Sequence, residues 1–364
     1  MMKKRVAVLG ATGSIGSSTL DIIRHAPEQF EVVLLTAYRN SAALQELAAE
    51  FPRARCVRAG IAAALKESGA DLAVNGIAGA GGLDPSFAAV EAGMDLALAN
   101  KETMVMAGSL IQEAAARTGS RIIPVDSEHS ALFHLLLAQN RRTVAELLLT
   151  ASGGPFLDYT HEQLAKVSVQ DALVHPTWKM GPVITVNAAT LANKGLEVIE
   201  AARFFRLPVE KIKALIHRQS TVHSLIRWTD GSLCAQLSVP SMRLPLQKAL
   251  YYPDSAPDSL IPPLNFDNLT LSFEKPDHER FPLLPLAYQA ERAGPLYPVA
   301  YNAANETAVE AFLQGRLPFP ALAGVVAHVL AQDWQAGAAV TREAVWETDA
   351  KARSCAAQRL FTLG

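Results

Sequence analysis

A change of rhythm at a glycine-rich turn near the start constrains this chain more than any other feature. Residues 5–9 (Arg-Val-Ala-Val-Leu) form an apolar run of strand type, and residues 14–25 carry Ile15, Leu20, Ile22 and Ile23 at helical spacing. Between them lies Gly10-Ala11-Thr12-Gly13-Ser14-Ile15-Gly16. Glycines at a strand-to-helix turn let backbone N–H groups approach a pyrophosphate, and the helix end adds partial positive charge. The spacing is G-x-x-G-x-x-G rather than G-x-G-x-x-G. The alternation continues with a strand at 31–37, a helix at 41–50, and apolar strands at 71–75, 95–99, 121–125 and 146–151. Strands separated by helices pair in parallel and are covered on both faces. The expected class is α/β, beginning with a Rossmann-like doubly wound parallel sheet.

The pattern changes after residue 151. A Pro, Trp and Gly-rich loop at 174–182 reads as a flap, and one long helix is expected from about 187 to 205. Alternating segments at 214–227 and 233–239 predict mixed or antiparallel strands, so this part reads as an α+β catalytic domain. Residues 251–285 hold Pro253, Pro257, Pro262, Pro263, Pro276, Pro282 and Pro285. That density excludes a regular helix and predicts an extended connector. The tail from about 283 shows helical periodicity in four pieces, a small helical bundle. The expected division is a nucleotide domain at 1–125, a catalytic domain at 126–250, a linker at 251–282 and a helical domain at 283–364.

Half of the 364 residues are hydrophobic and 19% are charged, enough apolar material for a substantial core. The net charge is -2, with Lys and Arg scattered, which gives no footprint for nucleic acid or a membrane surface. Cys56, Cys234 and Cys355 are far apart and odd in number, so neither a disulfide framework nor a zinc knuckle is expected. The basic start is broken by Gly10 and Gly13 before an apolar signal core forms, and no run is long enough to span a bilayer. A cytoplasmic protein is expected.

Three further features carry chemistry. The second strand ends in Thr36-Ala37-Tyr38-Arg39-Asn40-Ser41, with no acid to accept from a ribose 2′-OH. Arg39 can pair with a 2′-phosphate, which favours NADP over NAD. The strand at 121–125 runs into Asp126-Ser127-Glu128-His129. Carboxylates at i and i+2 of an extended segment share one side and offer hard oxygens to Mg²⁺ or Mn²⁺, with Glu197 as a third candidate. Lys101 follows another strand end and could reach the same crevice. Ser152-Gly153-Gly154 after the strand at 146–151 can hold an anion. Asn193, Lys194 and Glu197 are placed to share a helix face. In His175-Pro176-Thr177-Trp178-Lys179-Met180-Gly181, Trp178 and Met180 could cover a substrate.

Taken together, these segments resemble the 1-deoxy-D-xylulose 5-phosphate reductoisomerase family over essentially the whole chain. The resemblance rests on Leu9 to Gly16, Ala99-Asn100-Lys101-Glu102, Pro124 to His129, Ala151-Ser152-Gly153-Gly154-Pro155-Phe156, the flap, Asn193-Lys194-Gly195-Leu196-Glu197, and Asn302-Ala303-Ala304-Asn305-Glu306. It implies that Asp126, Glu128 and Glu197 hold one Mg²⁺, Mn²⁺ or Co²⁺ as metal ligands and, with Lys101, form the catalytic set. It implies substrate contacts from Ser127, Ser152, His175, Trp178, Met180, Asn193 and Lys194. The NADPH contacts it implies are Thr12, Gly13, Ser14, Ile15, Arg39, Asn40, Asn100 and Glu102. It further implies a sugar-phosphate substrate and a homodimer.

The chain departs from the family at Asn187-Ala188-Ala189-Thr190, where the family usually has Asp-Ser-Ala-Thr. The missing serine is a phosphate donor, so binding should weaken by roughly 1–2 kcal/mol unless another group compensates. Lys179, unusual in the flap, could supply that contact; if so, Lys179→Met raises KM. Two rival readings are another NADP-dependent aldehyde or semialdehyde dehydrogenase, a chemistry that normally uses a nucleophilic cysteine, and a non-catalytic NADP or sugar-phosphate sensor.

Overall fold

The structure, a computed structural model, describes residues 2–38, 40–137, 141–175, 178, 181–335 and 340–363. The chain divides into two compact units. The first comprises residues 1–103, 109–138 and 241–264; the second comprises 104–108, 139–240 and 265–364.

The first unit contains six strands: β1 (Lys4–Leu9), β2 (Phe30–Thr36), β3 (Arg55–Val57), β4 (Leu72–Asn75), β5 (Asp95–Leu98) and β6 (Ile122–Pro124). They lie in the order β3-β2-β1-β4-β5-β6, and every pairing is parallel. Burial explains the unbroken apolar run of β1, since Val6, Ala7, Val8 and Leu9 are all fully buried. The strand order reverses at β1 and β4, which opens a crevice at their carboxyl ends. Helix Ser14–His25 buries Leu20, Ile22 and Ile23, each worth about 1.5–3 kcal/mol on full burial. Residues 241–264 return to this unit. Helix Arg243–Tyr251 is closed at its carboxyl end by Lys4, whose Nζ donates to the carbonyls of Leu250 at 2.7 Å and Tyr252 at 2.9 Å. A cation there complements the helix dipole.

The second unit contains β7 (Val144–Ala151), β8 (Ile212–Ile216), β9 (Val222–Trp228) and β10 (Leu233–Leu237), in the order β10-β9-β7-β8. β7 and β8 are parallel, while β9 is antiparallel to β7 and to β10. Helices Leu283–Ala293, Tyr297–Leu313, Ala321–Leu330 and Arg342–Leu363 belong to the same unit.

The fold class is the expected one, with three local differences. Residues 146–151 were grouped with the parallel strands of the first sheet; they lie in the mixed sheet, because β7 pairs antiparallel to β9 as well as parallel to β8. The single helix at 187–205 is two, Pro182–Ala189 and Ala192–Phe205, broken by Leu191 at φ 57°. The units are also not consecutive in sequence. Residues 126–138 and 241–264 sit with the nucleotide domain, and 265–282 go with the second unit rather than forming a separate linker.

Candidate active site

In the first unit, the turn after β1 is shaped by close backbone approach. Gly10 adopts φ +78°, and a Cβ there would lie 3.1 Å from the Gly76 carbonyl oxygen at the end of β4. A Cβ on Gly16 would fall 2.4 Å from the Gly10 carbonyl. Helix Ser14–His25 begins at Gly13 with no side-chain cap and no acid in its first turn. Gly13 and Ser14 are exposed, and Thr12 and Ile15 are half-buried. This leaves a helix end with backbone donors for an anion. Asn40 caps the next helix, accepting from Ala43 N–H at 3.1 Å. Arg39 lies outside the described residues. Arg58 is a cation the sequence reading passed over; its Nη2 donates to the Tyr38 carbonyl at 3.0 Å, beside the segment that carries Arg39.

A buried polar network lies at the ends of β4 and β5. The Asn75 amide donates to the Gly82 carbonyl at 2.9 Å and the Ser86 hydroxyl at 2.7 Å, and Ser86 meets Thr103 Oγ1 at 3.0 Å. Asn100 accepts from Thr103 N–H and Oγ1, and its Nδ2 donates to the carbonyls of Ile77 and Gly79 and to Glu102 Oε2. The Asn100 side chain is therefore committed to holding loop 76–82, so any cofactor contact it makes falls to its backbone. The sequence marked Asn100 and Glu102 as cofactor contacts, but it gave no signal for Asn75, Ser86 and Thr103, which are spread between residues 75 and 103.

The network fixes the start of helix Lys101–Thr118 and with it Lys101, whose Nζ lies 2.6 Å from Asp126 Oδ2 with both side chains largely buried. Asp126 follows β6, whose last residue, Pro124, suits an edge strand because it has no N–H to donate. Glu128 is not on an extended segment as the spacing suggested. It sits in the first turn of helix Ser127–Leu137, where an acid is favoured by the dipole, and it accepts from Ser127 Oγ at 2.5 Å. His129 is fully buried.

In the second unit, β7 ends in Ser152-Gly153-Gly154, with Gly153 at φ +88° and Gly154 at φ +70°. Ser152 Oγ is 3.0 Å from His175 Nε2 and accepts from Gly154 N–H at 3.3 Å. His175 Nδ1 accepts from the Trp178 backbone N–H at 2.9 Å. Burial lowers the His175 pKa, so the ring is neutral near pH 7. With Nδ1 accepting, the ring proton is on Nε2 and is given to Ser152. Ser152 thus accepts twice and keeps its own proton to donate. Helix Ala192–Phe205 carries Asn193, Lys194 and Glu197. The Glu197 carboxylate, 1% exposed, accepts from the Asn193 amide and pairs with the Lys194 ammonium. Of the flap, His175, Trp178 and Gly181 are described, with Trp178 half-buried; Lys179 and Met180 lie outside the described residues.

A parallel-sheet domain with a glycine turn at its switch point, joined in one chain to a unit bearing a buried carboxylate, a lysine and a Ser-Gly-Gly turn able to seat an anion, fits the class of nucleotide-dependent enzymes. The comparisons narrow this. A profile of 1-deoxy-D-xylulose 5-phosphate reductoisomerase matches residues 6–60 and 52–108, a profile of the C-terminal domain of the same enzyme matches 122–205, and one of the DXP reductoisomerase C-terminal domain matches 237–355. The 1-deoxy-D-xylulose 5-phosphate reductoisomerase of Treponema pallidum is 47% identical, covering 98% of this chain and 97% of that protein. That of Thermus thermophilus is 49% identical, over 90% of this chain and 92% of that protein. A crystal structure of DOX-P reductoisomerase with NADPH, fosmidomycin and magnesium superposes with a TM-score of 0.93 at 36% identity, over 99% of both chains. The Zymomonas mobilis enzyme with NADPH gives 0.90 at 36% identity, again over 99% of both. The chain belongs to the 1-deoxy-D-xylulose 5-phosphate reductoisomerase family.

Proposed function

We propose that this protein rearranges 1-deoxy-D-xylulose 5-phosphate and reduces the resulting aldehyde with NADPH, giving 2-C-methyl-D-erythritol 4-phosphate for isoprenoid precursors. The observation that carries the reading is the neutral Ser152–His175 anion seat, found in a chain related over almost its whole length to enzymes of this name.

The resemblance assigns Asp126, Glu128 and Glu197 to one divalent ion, Mg²⁺, Mn²⁺ or Co²⁺. The donor set fits: all three are carboxylates, the hard ligands such ions take. Lys101 on Asp126 and Lys194 on Glu197 already supply countercharge to two of them. When bound, the metal polarises the substrate's carbonyl and hydroxyl oxygens as a Lewis acid. The chain's own groups do the rest. Lys101 and Ser127 donate to those oxygens. Ser152 donates its remaining proton to the phosphate, with His175 holding its hydroxyl, and Asn193 and Lys194 add two more donors. Trp178 and Met180 cover the site and exclude water. Thr12, Gly13, Ser14 and Ile15 take the NADPH pyrophosphate, Arg39 and Asn40 take its 2′-phosphate end, and Asn100 and Glu102 add further contacts to the cofactor.

A semialdehyde dehydrogenase needs a thiolate, and burial pushes the Cys56 and Cys355 thiols up, away from that state. A sensor gives no reason for Lys101 and three carboxylates together. No helix among the described residues is long and apolar enough to cross a membrane. Placement in the cytoplasm and a homodimer complete the proposal; β10 is an edge strand, and Phe266, Leu271 and Phe273 are exposed apolar side chains.

The test is loss of NADPH absorbance with 1-deoxy-D-xylulose 5-phosphate, before and after chelation. Turnover should vanish with the chelator and return with Mg²⁺ or Mn²⁺. NADPH binding without turnover under any metal would instead select the sensor.

A further inference from the structure

The segment that follows the turn Ser152–Gly154 is tied down by a residue that the proposed reaction does not use, Arg280. Arg280 Nη1 donates to the Leu157 carbonyl at 2.9 Å and to the Tyr159 carbonyl at 2.8 Å. Its Nε donates to Asp277 Oδ2 at 2.8 Å, and Asp277 Oδ1 accepts from the Arg280 and Glu279 backbone N–H groups at 3.0 Å. The guanidinium is thus aimed by one carboxylate and spans two carbonyls of the segment that follows the turn. Arg suits this task because its fork of donors is planar and rigid.

The link to the turn runs through Leu157. A Cβ on Gly153 would lie 2.7 Å from Leu157 Cδ2, so the Leu157 side chain occupies the space beside the Gly153 α-carbon. On the other flank, a Cβ on Gly154 would lie 2.7 Å from the Ala188 carbonyl oxygen. The two left-handed glycines are therefore wedged between Leu157 and Ala188. Phe156, 1% exposed, anchors the same segment with its ring 5.2 Å from Phe319. Arg218 adds an outer tie, with Nη1 2.7 Å from Asp158 Oδ2, but that pair is more exposed.

We propose that Arg280 is a positioning residue: by fixing the carbonyls of Leu157 and Tyr159 it sets Leu157 against Gly153 and holds the phosphate seat Ser152–Gly154 in its binding shape. This rests on the assignment of that turn to the substrate phosphate.

The test compares Arg280→Met, Arg280→Lys, Asp277→Asn and Ser152→Ala in the full-length enzyme. Readouts are kcat, KM for the sugar phosphate, KM for NADPH, and the inhibition constant of inorganic phosphate against substrate. Arg280→Met should raise both the substrate KM and the phosphate inhibition constant about tenfold, the scale of one binding hydrogen bond lost. The kcat and the NADPH KM should stay within about twofold, as expected when uniform binding is lost. Lys should recover part of the loss, and Asp277→Asn should move the same two constants less. If kcat falls and the NADPH KM rises along with the substrate KM, the role is general stability and the inference fails. It also fails if soluble Arg280→Met and Asp277→Asn leave both phosphate-sensitive constants unchanged while Ser152→Ala raises them. Unchanged phosphate inhibition in Ser152→Ala would sink the assignment of the seat itself.

Discussion

At the scale of single residues, the proposed phosphate seat turns on Ser152 and Ala188. Ser152 is oriented by a donor from His175 and a donor from Gly154, and Ala188 stands beside the same turn with no hydroxyl to give. Restoring the family's serine with Ala188→Ser should add one donor worth about 1–2 kcal/mol and lower the substrate KM about five- to thirtyfold, with the NADPH KM unmoved. Steady-state kinetics of the variant settle it; an unchanged KM means another group, such as Lys179, has already replaced the lost contact. Removing Ser152 with Ser152→Ala should cost a similar factor in the opposite direction. Ser152 and His175 were both readable in sequence as parts of separate motifs. Their bond was not, because the imidazole tautomer is set by the Trp178 backbone N–H, and a sequence has no record of which ring nitrogen that donor meets. The acid Glu128 was readable too, but its setting was not: an i, i+2 spacing fits an extended segment and a helix start alike.

At the scale of elements, the informative case is the break between Pro182–Ala189 and Ala192–Phe205. No glycine or proline marks it, so periodicity runs straight through. The structure closes the first helix with Thr190, whose hydroxyl donates to the Val186 carbonyl at 3.0 Å and the Asn187 carbonyl at 3.2 Å, and Asn305 donates to the Asn187 side chain at 2.9 Å. These are tertiary and side-chain bonds that override propensity. The second helix ends at Arg206 with φ 55°, a left-handed position where glycine is the residue of least strain. Arg206→Gly should therefore stabilise the protein by about 1 kcal/mol, raising Tm by about 1–2 °C in a chain of this length. Thermal unfolding of the purified variant measures this, and a lowered Tm would show that the arginine's own contacts outweigh the backbone strain. Strands of the first sheet were legible because burial on both faces forces continuous apolar runs. The exception is β3, an edge strand with none of its three residues buried, so no apolar run is required of it.

At the scale of the whole chain, the hidden fact is that residues 241–264 go back to the first unit, a return that no local pattern announces. Residues up to 250 were read as catalytic domain and 251–282 as a Pro-rich linker, whereas helix Arg243–Tyr251 and the chain to 264 belong to the unit of the parallel sheet. His134, on helix Ser127–Leu137, reports on that return. Burial, with Lys248 of the returning helix adding repulsion, drives its pKa down to about 4 from the ordinary 6.5. The sign follows from proton binding. Above pH 6.5 both folded and unfolded His134 are neutral and the group costs nothing. Between 6.5 and about 4 the unfolded chain takes up a proton that the folded one refuses, so stability falls as pH falls. Discounted for the partial exposure of the ring, the loss is on the order of 2 kcal/mol across that window. Urea unfolding at stepwise pH should show the decline in the native protein and a flatter curve for His134→Gln, which cannot titrate. Carboxylates also titrate toward pH 4, so the difference between the two proteins, not either curve alone, carries the result. Identical slopes would mean that His134 is hydrated in the folded state and that the returning segment does not seal it.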